Sequence, residues 1–169
     1  MPEQDFITDL RDAYASYKKQ ADAAISQVTD KELAWKPNEE SNSIAVIMQH
    51  IGGNLRSRWT DFLSTDGEKP WRHRDAEFEE SAPDRSRLDK IWEEGWAAVF
   101  HALEQINPDT LSKTIMIRRQ SLTVSQALVR SITHTAHHVG QIVYIAKAIR
   151  SSEWKTLSIP RGKSEQYTP

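Results

Sequence analysis

Hydrophobic side chains recur every three or four positions in four long stretches of the chain, which is the period of an amphipathic α-helix. The first predicted helix covers about residues 4–27. The second begins after Asn42 or Ser43, both good N-cap residues, and continues to about Ser64. Its apolar face consists of Ile44, Ile47, Met48, Ile51, Leu55, Trp59 and Phe62.

The third predicted helix runs from about Asp84 to Gln105. It follows Ala82-Pro83, where the proline suits the first turn of a helix, and Asn107-Pro108 ends it. A short connection then contains Thr114-Ile-Met-Ile117, which is too short for a stable helix. We expect a small extended segment or a hairpin around Arg118-Arg119-Gln120.

The fourth predicted helix begins at Thr123-Val-Ser-Gln126, which matches a capping box, and ends near Arg150. Four amphipathic helices without a credible sheet predict an all-α protein, an antiparallel four-helix bundle formed by a single domain over residues 1–169. The tail, residues 151–169, has little periodicity and is expected to be irregular.

A long connection over Thr65–Ser81 joins the second and third helices and leaves room for a crossover. It mixes charged and aromatic residues, unlike a flexible Gly/Ser linker, and loops of this length are often functional. Its alternating charges are consistent either with a structural network or with a cover over an opening.

Composition limits the function classes. The 169 residues carry a net charge of −2, which gives no electrostatic reason to expect nucleic acid or an anionic membrane as a partner. There is no cysteine, which excludes disulfides, cysteine zinc sites and a protein thiol nucleophile. Neither a secretory signal nor a run of about 18 apolar residues is present, so we expect a cytoplasmic protein.

The most distinctive stretch, Ser131–Tyr144, places three histidines within five residues of the fourth helix. His134 and His138 are four residues apart and share a helix face, so both can reach one metal ion. At about 100° per residue, His138 lies roughly 70° and His134 roughly 110° from the centre of the apolar face. His137 points away from that face, and Gln141 lies beside His134. Two histidines at this spacing are equally consistent with structural polar groups and with metal ligands.

The second helix carries a polar stripe of His50, Asn54 and Arg58. Helical periodicity alone leaves it as an ordinary solvated flank. The pair Gly52-Gly53 costs roughly 1 kcal/mol per glycine relative to alanine, which indicates tight helix packing or access to a cavity. Gly140 in the fourth helix is likewise expected to let a partner helix approach closely.

Two motifs together resemble the DinB/YfiT-like superfamily: Met48-Gln-His50-Ile-Gly-Gly-Asn54 and His134-x3-His138-Val-Gly-Gln141-Ile. The resemblance covers nearly the whole chain and points to an uncharacterised bacterial branch. One departure is Val139, where the commonest form of the second motif has arginine. The resemblance implies a four-helix bundle that carries one divalent metal, usually zinc or nickel, on three histidines. Carried over to this chain, these are His50, His134 and His138, and a homodimer is expected.

Some members of that superfamily are transferases or isomerases that use low-molecular-weight thiols such as bacillithiol or mycothiol. The first hypothesis is therefore a metal-dependent thiol S-transferase acting on a small molecule, in which Asn54, Arg58 and Gln141 bind an anionic substrate. A metal-dependent hydrolase is the second hypothesis, but it requires a general base, and no carboxylate shares a helix face with the histidines. A non-catalytic metal-binding bundle associated with stress and a pure interaction module are the remaining alternatives. No catalytic residue is assigned.

Overall fold

The structure is a computed structural model that describes residues 2–79 and 84–166. Its four long helices are α1 (Pro2–Ile25), α2 (Ile44–Trp59), α3 (Arg85–Gln105) and α5 (Val124–Arg150). A short helix, α4 (Pro108–Leu111), and a hairpin of β1 (Thr114–Ile117) and β2 (Gln120–Thr123) lie between α3 and α5. The predicted helical bundle and the predicted hairpin are both confirmed.

The core fills the space between the helices. The closest pairings are α2 with α3 and α1 with α5, while α2 meets α5 over a smaller contact. All four long helices contribute large side chains that are completely buried, including Tyr14, Met48, Trp96 and Leu128. Burying a side chain of this size stabilises the fold by about 1.5–3 kcal/mol, so the bundle depends mainly on these four apolar faces.

Side-chain caps fix the starts of the long helices. Of the two candidates for the start of α2, Ser43 is the N-cap, and its side chain accepts a hydrogen bond from Val46 N. Asp84 caps α3 in the same way. Thr123 and Gln126 form the predicted capping box of α5. The prediction about Ala82-Pro83 falls outside the described residues.

One predicted boundary was wrong, and one short helix was not predicted. The second helix ends at Trp59 rather than near Ser64, and the chain turns through Asp61, whose φ of 49° is left-handed. Phe62 is nevertheless buried beside Trp59, with ring centroids 5.5 Å apart. The three- and four-residue spacing of apolar side chains therefore extends beyond the last helical residue. Asn107-Pro108 does end α3, but Asn107 also caps α4, which was not predicted.

Glycines allow α2 and α3 to approach each other at one point. A Cβ atom added at Gly95 would lie 2.6 Å from Gly52 Cα, and one added at Gly52 would lie 2.5 Å from Ile91 O. Both distances are far inside van der Waals contact, so the tight packing predicted for Gly52 is confirmed. The expectation for Gly140 was wrong, because no described atom beyond the adjoining part of its own helix lies within 4 Å of the corresponding position.

Asp66 connects the long loop to the hairpin. Its carboxylate accepts hydrogen bonds from the backbone N–H groups of Glu68, Arg118 and Arg119, at 2.7–2.8 Å. These bonds, that of Glu68 foremost, lower the pKa of Asp66 despite partial desolvation. Arg118 and Arg119 form the turn with φ values of 52° and 61°, which are strained for residues with a side chain. The carboxylate thus stabilises a turn that holds Arg118 near the loop.

Within the two described ranges, no helix combines the length and the apolar composition needed to cross a bilayer.

Candidate metal centre

Three histidines from two helices come together beside the core. His50 lies on α2, and His134 and His138 lie one turn apart on α5. One ring nitrogen from each lies within 4.8 Å of the other two, so the cluster could hold a metal ion. His50 Nε2 and His134 Nε2 are 3.2 Å apart. Two nitrogen ligands at 2.0–2.1 Å from a tetrahedral zinc ion are about 3.3 Å apart, so this separation suits two ligands of one metal.

A carboxylate from the long loop holds the His50 ring from behind. Glu77 Oε2 lies 3.0 Å from His50 Nδ1. Because an ionised carboxylate only accepts hydrogen bonds, Nδ1 carries the proton and Nε2 keeps its lone pair toward the other two histidines. Carboxylates orient metal-binding histidines in this way in many proteins.

Glu77 is itself fixed by a buried arginine. Arg72 donates from Nε to Glu77 Oε1 at 2.7 Å and from Nη2 to Oε2 at 2.8 Å, and its Nη1 donates to Ser57 Oγ at 3.1 Å. Burial alone would raise the pKa of Glu77, but the hydrogen bonds from Arg72 and His50 lower it below its usual value. The carboxylate is therefore ionised at neutral pH and pairs with the buried guanidinium.

Gln141 supports the ring of His138 as Glu77 supports the ring of His50. Its Oε1 lies 2.8 Å from His138 Nδ1, and its Nε2 lies 3.2 Å from His137 Nε2. An amide oxygen accepts, so His138 also carries its proton on Nδ1 and leaves Nε2 free. The sequence placed Gln141 beside His134, whereas the structure places its hydrogen bonds on His138 and His137.

Burial and the neighbouring rings favour the neutral form of His134 and His138, which is the form that binds metal ions. Burial, followed by the neighbouring rings of His138 and His50, lowers the pKa of His134 to about 4. Burial also lowers the pKa of His138. Three converging imidazole rings suit zinc or nickel, among other borderline metal ions. The residues present therefore fit a divalent metal.

A cavity of about 190 Å³ opens beside His50 and His134. Asn54 and Arg58 line it, so two of the three predicted substrate-binding residues face this space. Arg58 is held by the carbonyl oxygen of Gly67 and by Glu68. Gln141 instead lines a second cavity of about 550 Å³ on another side of α5.

Sequence patterns missed the loop residues that contact the cluster or hold its supporting carboxylate. Glu77, Arg72 and Phe78 all come from the Thr65–Ser81 connection, and the Phe78 ring lies 4.8 Å from the His50 ring. The available signal was the dense mixture of charged and aromatic residues in that loop. The alternating charges were consistent with a structural network or with a cover over an opening, and the structure favours the network.

Replacing Glu77 with glutamine is expected to weaken zinc binding about 10- to 100-fold, the usual effect of removing such a supporting carboxylate. Glutamine leaves the buried Arg72 without its ionic partner and no longer fixes the charge behind His50. Competition against a chromophoric zinc chelator measures the change. Glu79→Gln, an exposed neighbour in the same loop, is the matched control and should bind zinc like the wild type. Equal affinity in both variants would contradict this role for Glu77.

Comparison with known proteins identifies a family but no function. A search of curated proteins finds no match to this chain. The model of a family described as a protein of unknown function, DUF1572, matches residues 2–163, nearly the whole length. A relationship of that family to the DinB/YfiT-like superfamily stays a prediction. The match over almost every residue that builds the helices and the histidine cluster shows that the chain belongs to the DUF1572 family.

Proposed function

We propose that the protein binds one divalent metal ion, zinc or nickel, through His50, His134 and His138 and is an enzyme that acts on a small molecule in the adjoining cavity. The observation that carries this proposal is the convergence of three histidine nitrogens, with the opposite nitrogens of two rings held by Glu77 and Gln141. Rings held by a carboxylate or an amide behind them are typical of metal ligands.

A divalent metal on three protein ligands keeps an open coordination position and lowers the pKa of a thiol or a water molecule bound there. The residues of the chain supply the rest. Asn54 and Arg58 offer an amide and a cation to a ligand in the cavity. Trp59 and Ile115 form part of its apolar wall.

Thiol transfer is the reaction class that we favour. In such a reaction the sulfur of a small thiol forms a bond to an electrophilic carbon, the leaving group departs with its electron pair, and the thiol proton passes to solvent. The chain has no cysteine, so the sulfur must come from a low-molecular-weight thiol. Thiolate attack needs no separate protein base once the thiol has been ionised.

Metal-dependent hydrolysis is the second candidate, and it lacks a general base in the part of the chain that the structure describes. Glu77 is the carboxylate that contacts the cluster, but it sits behind His50 and is occupied by Arg72. No aspartate or glutamate is among the described residues that line the cavity. A non-catalytic metal-binding bundle is the third candidate, in which the ion serves stability alone.

A turnover assay with metal-loaded, untagged protein separates the three candidates. Bacillithiol, mycothiol and glutathione are each paired with 1-chloro-2,4-dinitrobenzene, and loss of free thiol is followed with and without a chelator. The proposed function requires thiol loss that depends on zinc or nickel and disappears in His138→Ala. Product formed without thiol would indicate hydrolysis, and thermal stabilisation by the metal without any turnover would indicate the non-catalytic bundle.

A further inference from the structure

Arginines dominate the wall of the cavity beside the histidine cluster. Five of them line it, while no acidic side chain does so among the described residues. They are Arg58, Arg72, Arg74, Arg118 and Arg130. They come from α2, the long loop, the hairpin turn and α5, so the fold gathers them from four separate segments.

Neighbouring carboxylates offset only part of this charge. Arg72 pairs with Glu77, and Arg58 and Arg118 share Glu68 at 3.4 and 2.6 Å. Five guanidinium groups therefore face two carboxylates within the network.

The other two arginines are the least neutralised. Arg74 contacts only the exposed Asp75, at 3.7 Å, and lies over the Phe78 ring. The side chain of Arg130 makes no ion pair or hydrogen bond with the described residues. Counting Asp75 and also Asp66, whose carboxylate interacts with Arg58, five cations minus four anions still leave a net positive charge.

Without a bound anion, the arginine side chains that line the cavity repel one another. Burial, followed by the neighbouring guanidinium of Arg72, lowers the pKa of Arg58, and Arg118 acts in the same direction. Like charges in a partly buried cavity repel each other more strongly than they would in water. An anion in the cavity would convert this repulsion into attraction.

We propose that the cavity binds the phosphate group of a small phosphorylated substrate. A phosphate monoester carries a charge of about −1.5 to −2 and three strong acceptor oxygens, so it can accept hydrogen bonds from several of these guanidinium groups at once. One guanidinium group can donate two parallel hydrogen bonds to two oxygens of the same phosphate. A single carboxylate would offer one charge and two oxygens, which is less charge and fewer acceptors for the same arginines.

This anion site adds a substrate class to the proposed function. It rests on that function, because the histidine cluster beside it is a metal centre only under that proposal. His50 and His134 line the same cavity as the five arginines. A phosphate held at the arginines would place the rest of a small substrate toward the histidine cluster. The arginines would then be binding and orienting groups, and the reacting end of the substrate would lie at the metal.

Isothermal titration calorimetry on the full chain tests the proposal, with metal-free and zinc-loaded protein titrated with inorganic phosphate, methyl phosphate and acetate. Methyl phosphate and inorganic phosphate are expected to bind both forms, and acetate to bind at least about tenfold more weakly. Arg130→Gln should weaken methyl phosphate binding about tenfold, the usual effect of losing a charge-assisted contact. Arg130 is exposed, so this variant should fold normally.

Arg87→Gln is the matched control, because Arg87 is an exposed arginine on α3 that does not line the cavity. It should bind methyl phosphate like the wild type. Binding seen only in the zinc-loaded form and unchanged in Arg130→Gln would place the phosphate on the metal and overturn the arginine site. Failure of both phosphates to bind either form would also overturn it. Zinc content measured on the same samples reports separately on the proposed function.

Discussion

Replacing His134 with alanine is expected to abolish stoichiometric binding of zinc or nickel. The cluster would keep two imidazoles, and a loss of more than about a hundredfold in affinity is expected because even outer-shell partners contribute 10- to 100-fold. His138→Ala should have the same effect, since its ring stands at the same cluster. The measurement is metal content by plasma mass spectrometry on untagged protein, with about one ion per chain expected in the wild type.

The matched control for both variants is His101→Ala. His101 is an exposed histidine on α3 outside the cluster, and its removal should leave the metal content unchanged. Circular dichroism confirms that each variant is folded. A wild-type chain that stays folded and takes up no metal when supplied with it would contradict the metal site and return the histidines to structural roles. Retention of the full metal content by His134→Ala would remove that residue from the site.

The second large effect is expected from a single methyl group. Gly95→Ala should lower the free energy of unfolding by about 1–3 kcal/mol, the range for forced overpacking. The added Cβ would lie 2.5 Å from Gly52 O and 2.6 Å from Gly52 Cα, and backbone atoms cannot rotate aside. Alanine is favoured over glycine in a helix by about 1 kcal/mol, so the steric term must exceed this gain. Urea denaturation gives the difference.

Gly140→Ala is the matched control for Gly95→Ala and should change stability in the opposite direction. Gly140 lies in the middle of α5, and no described atom beyond the adjoining part of that helix lies within 4 Å of its added Cβ. Only the helix propensity then applies, which predicts a gain of up to about 1 kcal/mol. If both substitutions stabilise the protein, the helices α2 and α3 adjust their spacing more easily than the close contact implies.

Periodicity predicted the parts of this fold in which local and tertiary preferences agree. The N-terminal boundary of α5 was predicted because the side chains of Thr123 and Gln126 cap the backbone within the same turn. The C-terminal end of α2 was missed because Phe62 continues the apolar period while packing into the core from a turn. Burial sets the period of hydrophobic residues, and a helix is only one way to achieve burial.

The candidate site was less accessible to sequence reasoning. The spacing of His134 and His138 could be read on one helix, but His50 lies on another, and only the resemblance to a known superfamily joined it to them. Glu77 could not be found at all, because a loop residue has no period and its partner is 27 positions away in the chain. The role of Gly140 was predicted wrongly for a related reason. A helical wheel shows the faces of one helix, but it does not show which face packs against a neighbouring helix.

The two helix pairs of the bundle contribute differently to the histidine cluster. His50 belongs to the pair formed by α2 and α3, and His134 and His138 belong to the pair formed by α1 and α5. A metal ion on all three would be a cross-link between the two pairs, joining residues 84 positions apart in the chain. Such a cross-link closes a long segment of the chain, and an ion that binds only the folded state would stabilise that state. The ion would thus also hold the α2 and α5 walls of the cavity at a fixed spacing.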